Sequence, residues 1–326
     1  METVELRPLS LGELLDRTFN LYRNHFWLFV CIMAVPSAFT IPANVLLLSF
    51  QGSMMNSIAT NPGRPPMVPS LSYFGGIFLG YLVFFVIFGI VYSMAVAAAS
   101  SAVADVYLGR VATVRGSFGR LRGRFWTLMG VVLNVFLRLL GIFLLIVIVL
   151  VAGVAGASFA FAGGPGNPVF AVILGFVVIL AYLAGLAFCF YFVLRYAVSI
   201  PVLMVENLGI LATLRRSVFL TRGRRGHIFL ALLIAGVIAG AGVAVFQWPF
   251  LIAEMIAAGR GHWSTGLALA SAVSGGIGSS LTGPISMIAV VLLYYDARIR
   301  KEAFDLQFMM SSLDSSAPAA GTVSPA

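Results

Sequence analysis

Six apolar segments, at about 26–50, 72–104, 126–161, 168–205, 228–257 and 266–296, constrain the fold more than any other feature of the chain. Each reaches or exceeds the roughly 20 residues that an α-helix needs to cross about 30 Å of hydrocarbon. Only 10% of the residues are charged and 60% are hydrophobic, whereas a soluble domain carries about 25% charged residues. A soluble enzyme with a large core fits this pattern poorly. The segments predict an all-α membrane protein with about six transmembrane helices. Their surplus length predicts tilt, protrusion or breaks. Pro36, Pro42, Pro201, Pro249 and Pro284 mark where kinks or breaks are tolerated.

The basic residues fix an orientation. Of 20 Lys and Arg, 16 lie in the N-terminal stretch, in the 105–125 and 206–227 connections, or at the C-terminal end. The alternate connections hold only Arg64 and Arg260, and Arg138 and Arg195 lie inside apolar segments. Such a split is the positive-inside signature, so both termini and both basic connections are expected on the cytoplasmic side of a cell (inner) membrane. Four acids in the first 16 residues, with no apolar run behind a basic one, do not read as a signal peptide. The first outer connection, 51–70, is rich in Pro and Ser and reads as irregular.

The two basic connections repeat one another. Leu108–Arg124 and Leu208–Arg224 align without gaps, with nine of 17 positions identical, including Thr113/Thr213, Arg115/Arg215, Ser117/Ser217 and Arg124/Arg224. A fainter copy, Phe19–Trp27, matches Phe118–Trp126 at Phe, Arg, Phe and Trp, with His25 where Arg124 stands. The sequence therefore predicts three parallel helical-hairpin repeats, each preceded by a cytoplasmic amphipathic helix. The polytopic domain covers 1–310, with repeats at about 8–105, 106–206 and 207–306, and 311–326 has the composition of a disordered tail. In the amphipathic stretches, Leu11, Leu14, Leu15, Phe19, Tyr22 and Phe26 fall on one face, as do Val114, Phe118, Leu121 and Phe125, and Leu211, Leu214 and Val218. Ser10 and Glu13 have capping-box spacing. Each repeat ends in an acid (Asp105, Glu206, Asp296) with basic residues close behind, which reads as interfacial ion pairing.

"RPLSLGELLDRTFNLYRNHFWLF" (7–29), "RYAVSIPVLMVENLGILATLRRSVFLTRGR" (195–224) and "LLYYDARIRKEAFDLQF" (292–308) together resemble bacterial proteins that carry a glycerophosphoryl diester phosphodiesterase membrane domain. In the second stretch Arg195, Pro201, Glu206, Gly209, Arg215, Arg216, Ser217, Arg222 and Gly223 match that pattern. The resemblance implies the membrane part alone, without the soluble catalytic domain. The name therefore implies no activity.

The residues point the same way. His25, His227 and His262 lie on opposite sides of the expected bilayer, so they cannot converge. No metalloprotease, nucleophile-elbow or P-loop spacing occurs. Cys31 and Cys189 stand alone in apolar segments. The expectation is a non-enzymatic protein without cofactor or metal, whose partners are membrane lipids. A protein partner stays open, and no nucleic-acid platform is present. The ligand or lipid-binding candidates are Arg138, Arg195, Glu206, Arg122, Arg124, Arg215, Arg222 and Arg224. The favoured function is a scaffold or regulatory module whose basic helices engage anionic lipid. The alternative is a transporter or flippase-like protein that uses Arg138 and Arg195 inside the membrane. Arg138 also fits a second reading, in which its side chain reaches the interface and the span begins near Leu139.

Overall fold

The computed structural model describes residues 9–59, 71–107, 109–162, 168–260 and 264–302. Among these residues the chain forms helices and short turns, with no strand. The helices are α1 (Leu11–Asn24), α2 (Phe26–Ala59), α3 (Leu71–Tyr107), α4 (Val114–Gly119), α5 (Phe125–Ala162), α6 (Pro168–Tyr196), α7 (Ser199–Glu206), α8 (Ile210–Thr221), α9 (Arg225–Gly259) and α10 (Thr265–Glu302). Six of them, α2, α3, α5, α6 with its continuation α7, α9 and α10, are long and apolar enough to cross a membrane. The chain is an all-α, multi-pass membrane protein.

α2 runs unbroken through Pro36 and Pro42, as do α9 and α10 through their single prolines. α2 continues to Ala59, so 51–59 is helical where the composition suggested an irregular loop. Residues 60–70, His262 and the expected tail lie outside the described residues. The break that does occur separates α6 from α7, two residues before Ser199. Pro201 explains it, because proline has no N–H and its ring collides with the carbonyl of residue i−4, here Ala197.

α10 is the central helix and packs between α9 and α2. Its small residues permit close approach, as is common between membrane helices. A Cβ on Gly278 would lie 3.1 Å from the Val243 Cα of α9, and one on Gly276 would lie 2.8 Å from Ile41 of α2. Hydroxyls bridge the same seams. Thr282 Oγ1 donates to the Ala239 carbonyl at 2.8 Å, and Ser37 Oγ and Ser279 Oγ are 2.7 Å apart. α3, α7 and α10 also pack on one another, burying Ala97–Ala99, Val202, Leu203 and Met287–Ala289 completely. α5 and α6 pack chiefly against each other, and they expose apolar side chains such as Leu145, Ile148, Val172 and Phe176. Those faces match a hydrocarbon surround.

The short helices gather at the arginine-rich end. α1 opens with a complete capping box, in which Ser10 N–H donates to Glu13 Oε2 at 2.8 Å and Glu13 N–H to Ser10 Oγ at 3.3 Å. α1 does not lie free. Leu9 N–H donates to Asp296 at 2.8 Å, and Tyr22 Oη donates to the Leu281 carbonyl, about four turns earlier in α10. The buried face of α1 is Leu14 and Thr18, flanked by Leu11, Leu21 and Tyr22, while Phe19 points outward. Leu211 of α8 is likewise exposed, and Thr213, Leu214, Ser217 and Leu220 are buried in its place.

Residues spaced by 99 and then 100 positions share environments. Thr18, Ser117 and Ser217 are all fully buried, as are Phe29, Leu128 and Ile228, and Ile32, Val131 and Ala231. α2, α5 and α9 begin at Phe26, Phe125 and Arg225, in the same register.

Candidate functional site

The acids that close the long helices are all consumed in ties. Asp105 accepts from Arg120 at 2.7 Å. Glu206 accepts from Arg216 Nε at 2.8 Å and from Tyr294 Oη at 3.1 Å. Arg216 also pairs with Glu302, which Arg298 Nε reaches at 3.2 Å. Burial works against charge on Arg216, but the hydrogen bonds and charges of Glu206 and Glu302 outweigh it and hold the guanidinium above the ordinary arginine range. Asp296, almost fully buried, accepts from Leu9 N–H, Arg300 at 2.9 Å and Arg224 at 3.3 Å. These pairs join α7, α8, α10, the turn before α9 and the segment before α1.

Two cations close helix ends instead. Arg124 donates to the Leu203 carbonyl at 3.4 Å and to the Met204 carbonyl, both in the last turn of α7. Lys301 Nζ donates to the Phe219 carbonyl and, at 2.9 Å, to the Arg222 carbonyl at the end of α8. A positive group there satisfies orphan carbonyls and complements the helix dipole. Asn207, left-handed at φ 52°, ends α7 and turns the chain into α8.

The α6–α7 break positions the remaining candidates. It frees the carbonyl of Arg195, which accepts from Ser217 Oγ at 3.1 Å and Thr221 Oγ1 at 3.4 Å of α8. Arg195 then carries its guanidinium 5.7 Å from the Phe192 ring and 5.8 Å from the Tyr196 ring. Arg138 of α5 stacks on the same Tyr196 ring at 5.4 Å and donates to its hydroxyl. Arg225, the first residue of α9, lies 4.5 Å over Tyr191, one turn before Arg195. Three guanidiniums from three helices thus rest on aromatic faces, each contact contributing about 0.5–1 kcal/mol or more. None of the three forms an ion pair among the described residues. Arg195 Nε and Arg225 Nε are buried without an acceptor, and Asn134 Oδ1, one turn from Arg138, is buried without a donor. This set is a positively charged, aromatic-backed cradle open on the Arg138 side.

The eight sequence candidates therefore separate. Arg138 and Arg195 come together. Glu206, Arg124 and Arg224 serve in ties. Arg122, Arg215 and Arg222 are exposed and unpaired with any acid among the described residues. The partner of Glu206 is Arg216, not its neighbour Arg215. Sequence reasoning missed Arg225, Tyr191 and Tyr196. Tyr191 and Arg195 are spaced i,i+4 on one face, which was a usable signal, but nothing in the sequence joined them to Arg138 or Arg225. Among the described residues no group of His, Cys, Asp and Glu could hold a metal. Comparison with family models, with curated proteins and with solved structures returns no match.

Proposed function

We propose that this chain is a non-enzymatic protein of a bacterial inner membrane, a scaffold or regulatory module that holds an anionic lipid headgroup in the cradle of Arg138, Arg195 and Arg225. The carrying observation is that these three guanidiniums rest on aromatic rings of one stretch of α6, Tyr191 to Tyr196, without a carboxylate partner among the described residues. A phosphate oxygen is the acceptor their unpaired N–H groups lack. Three parallel repeats, both termini cytoplasmic, and interfacial short helices complete the reading, and the shared burial at the 99- and 100-residue spacings supports the repeats. The resemblance to the glycerophosphoryl diester phosphodiesterase membrane domain is consistent with it and adds no chemistry.

Depth supports headgroup binding over transport. Arg225 opens α9 and reaches Tyr191, so the cradle lies level with the start of a span. From Arg138 to Ala162, α5 still rises about 36 Å, enough to cross the hydrocarbon. A transporter or flippase-like route along the bundle axis would have to pass the fully buried side chains where α3, α7 and α10 meet.

Native mass spectrometry of the purified chain tests the reading. The wild type is expected to retain phosphatidylglycerol in preference to phosphatidylcholine. The R138Q/R195Q/R225Q variant should lose that preference by about tenfold, the equivalent of one lost charge-assisted contact. Equal retention by variant and wild type would sink the cradle.

A further inference from the structure

At the opposite end of the bundle, a different polar group has no partner. Glu254 of α9 is 7% exposed, and both of its carboxylate oxygens are buried without a donor. Ser271 of α10 is fully buried, and its hydroxyl also lacks a partner. The two face the same seam. α9 and α10 run antiparallel, with the Gln247 side chain set against Gly275. Two turns further along α9, the same face brings Glu254 level with Ala268, and Ser271 lies between Ala268 and Gly275 on α10. Gln247, Glu254 and Ser271 thus share one face of one helix pair.

We propose that Glu254, with Ser271 of the facing helix, forms a site for a small monovalent cation, a proton or Na+. A buried, unpartnered carboxylate is costly, and buried charges are paired or hold a cation. Carboxylate and hydroxyl oxygens are donors a hard cation takes. One negative charge matches one positive charge, so a monovalent ion leaves the site neutral. No other charged residue lies between His227 and Glu254 on α9, between Thr265 and Tyr295 on α10, or anywhere in α2 or α3 short of Asp105. Arg138 and Arg195 lie at the cradle, and Arg260 is exposed beyond the end of α9. Glu254 lies about 44 Å along α9 from Arg225, so an ion enters from the side opposite the arginine-rich end.

Thermal unfolding of the full chain in detergent micelles separates the outcomes, with Na+ replaced by choline and pH varied. For a Na+ site, Na+ at a hundredfold excess over its dissociation constant raises the unfolding midpoint by about 4 °C. E254Q abolishes that shift and S271A weakens it. For a proton site, Na+ has no effect, and the wild type loses stability relative to E254Q as pH rises. A Na+ shift that survives in E254Q, or a wild type and E254Q that differ by the same amount at every pH and Na+ concentration, overturns the site.

Discussion

Ser117 and Ser217 occupy matched positions in the two basic connections, and both are fully buried. The structure nevertheless gives them opposite values. Ser217 Oγ donates to the Arg195 carbonyl, which the α6–α7 break has freed, and Thr221 shares that acceptor. Ser117 packs beside α3, which has no break and so no carbonyl to spare, and its hydroxyl has no partner. Removing both donors to Arg195 leaves a buried carbonyl unsatisfied, at a cost of about 1–3 kcal/mol. Ser217→Ala alone leaves Thr221 in place and costs about 1 kcal/mol. Ser117→Ala removes a hydroxyl that was desolvated without compensation, so it is neutral or slightly stabilising. Thermal unfolding of the purified chain reads these differences at about 1.5 °C per kcal/mol. The S217A/T221A pair should unfold clearly below the wild type, and S117A at or above it. If S117A unfolds as early as S217A, the hydroxyls act through packing volume and the argument from the freed carbonyl fails.

Four further outcomes follow from the same geometry. Asp296→Ala strands Arg224, Arg300 and the Leu9 N–H, and should destabilise by about 3 kcal/mol or more, while Asp105→Ala, whose partner Arg120 is half exposed, costs about 1 kcal/mol or less; denaturation midpoints check the order. Gly278→Ala drives a Cβ toward the Val243 backbone and costs about 1–3 kcal/mol, whereas Gly236→Ala, with nothing within 4 Å, gains up to about 1 kcal/mol in the same assay. Asn207→Gly relaxes a left-handed residue and is neutral or stabilising, while Asn207→Val costs more than 1 kcal/mol by roughly the usual penalty for that region. Arg122→Gln with Arg222→Gln should weaken binding of the folded chain to anionic bicelles without moving its unfolding midpoint. Arg124→Gln with Arg224→Gln should lower that midpoint, because these two hold the α7 carbonyls and Asp296.

Hydropathy carried the long helices almost to their ends, because burial in lipid demands one uniform property over a length that sequence displays directly. Prolines were less informative. Pro36, Pro42, Pro249 and Pro284 sit inside continuous helices, while Pro201 lies in the first turn of α7, just after the break. The difference lies in what is at hand. Ser217 and Thr221 wait beside the Arg195 carbonyl, and that is a tertiary fact. The choice of Arg216 over Arg215 as the partner of Glu206 depends on helical phase. That phase is set by the left-handed turn at Asn207, which residue spacing alone does not reveal. The cradle was half legible. Arg138 and Arg195 stood out as charges in apolar segments. Tyr196, the ring they share, did not, since an aromatic among 27 Phe and 10 Tyr carries no signal of its own.

The acid ties also say how three copies can form one body. On the threefold reading, Asp105 closes the first hairpin and holds Arg120 of the connection that opens the second. Glu206 closes the second and holds Arg216, which lies in the connection that opens the third. Asp296 closes the third, and it reaches back to Leu9, at the start of the first, with Arg300 fastening the Leu9 carbonyl at 2.5 Å. The cycle has no open end among the described residues. Apart from exposed arginines such as Arg122, Arg215 and Arg222, arginine is spent in two ways at this end of the molecule. Arg120, Arg124, Arg216, Arg224 and Arg300 make the ring. Arg138, Arg195 and Arg225 are left over on aromatic faces, where the fold supplies no counter-charge and a headgroup can.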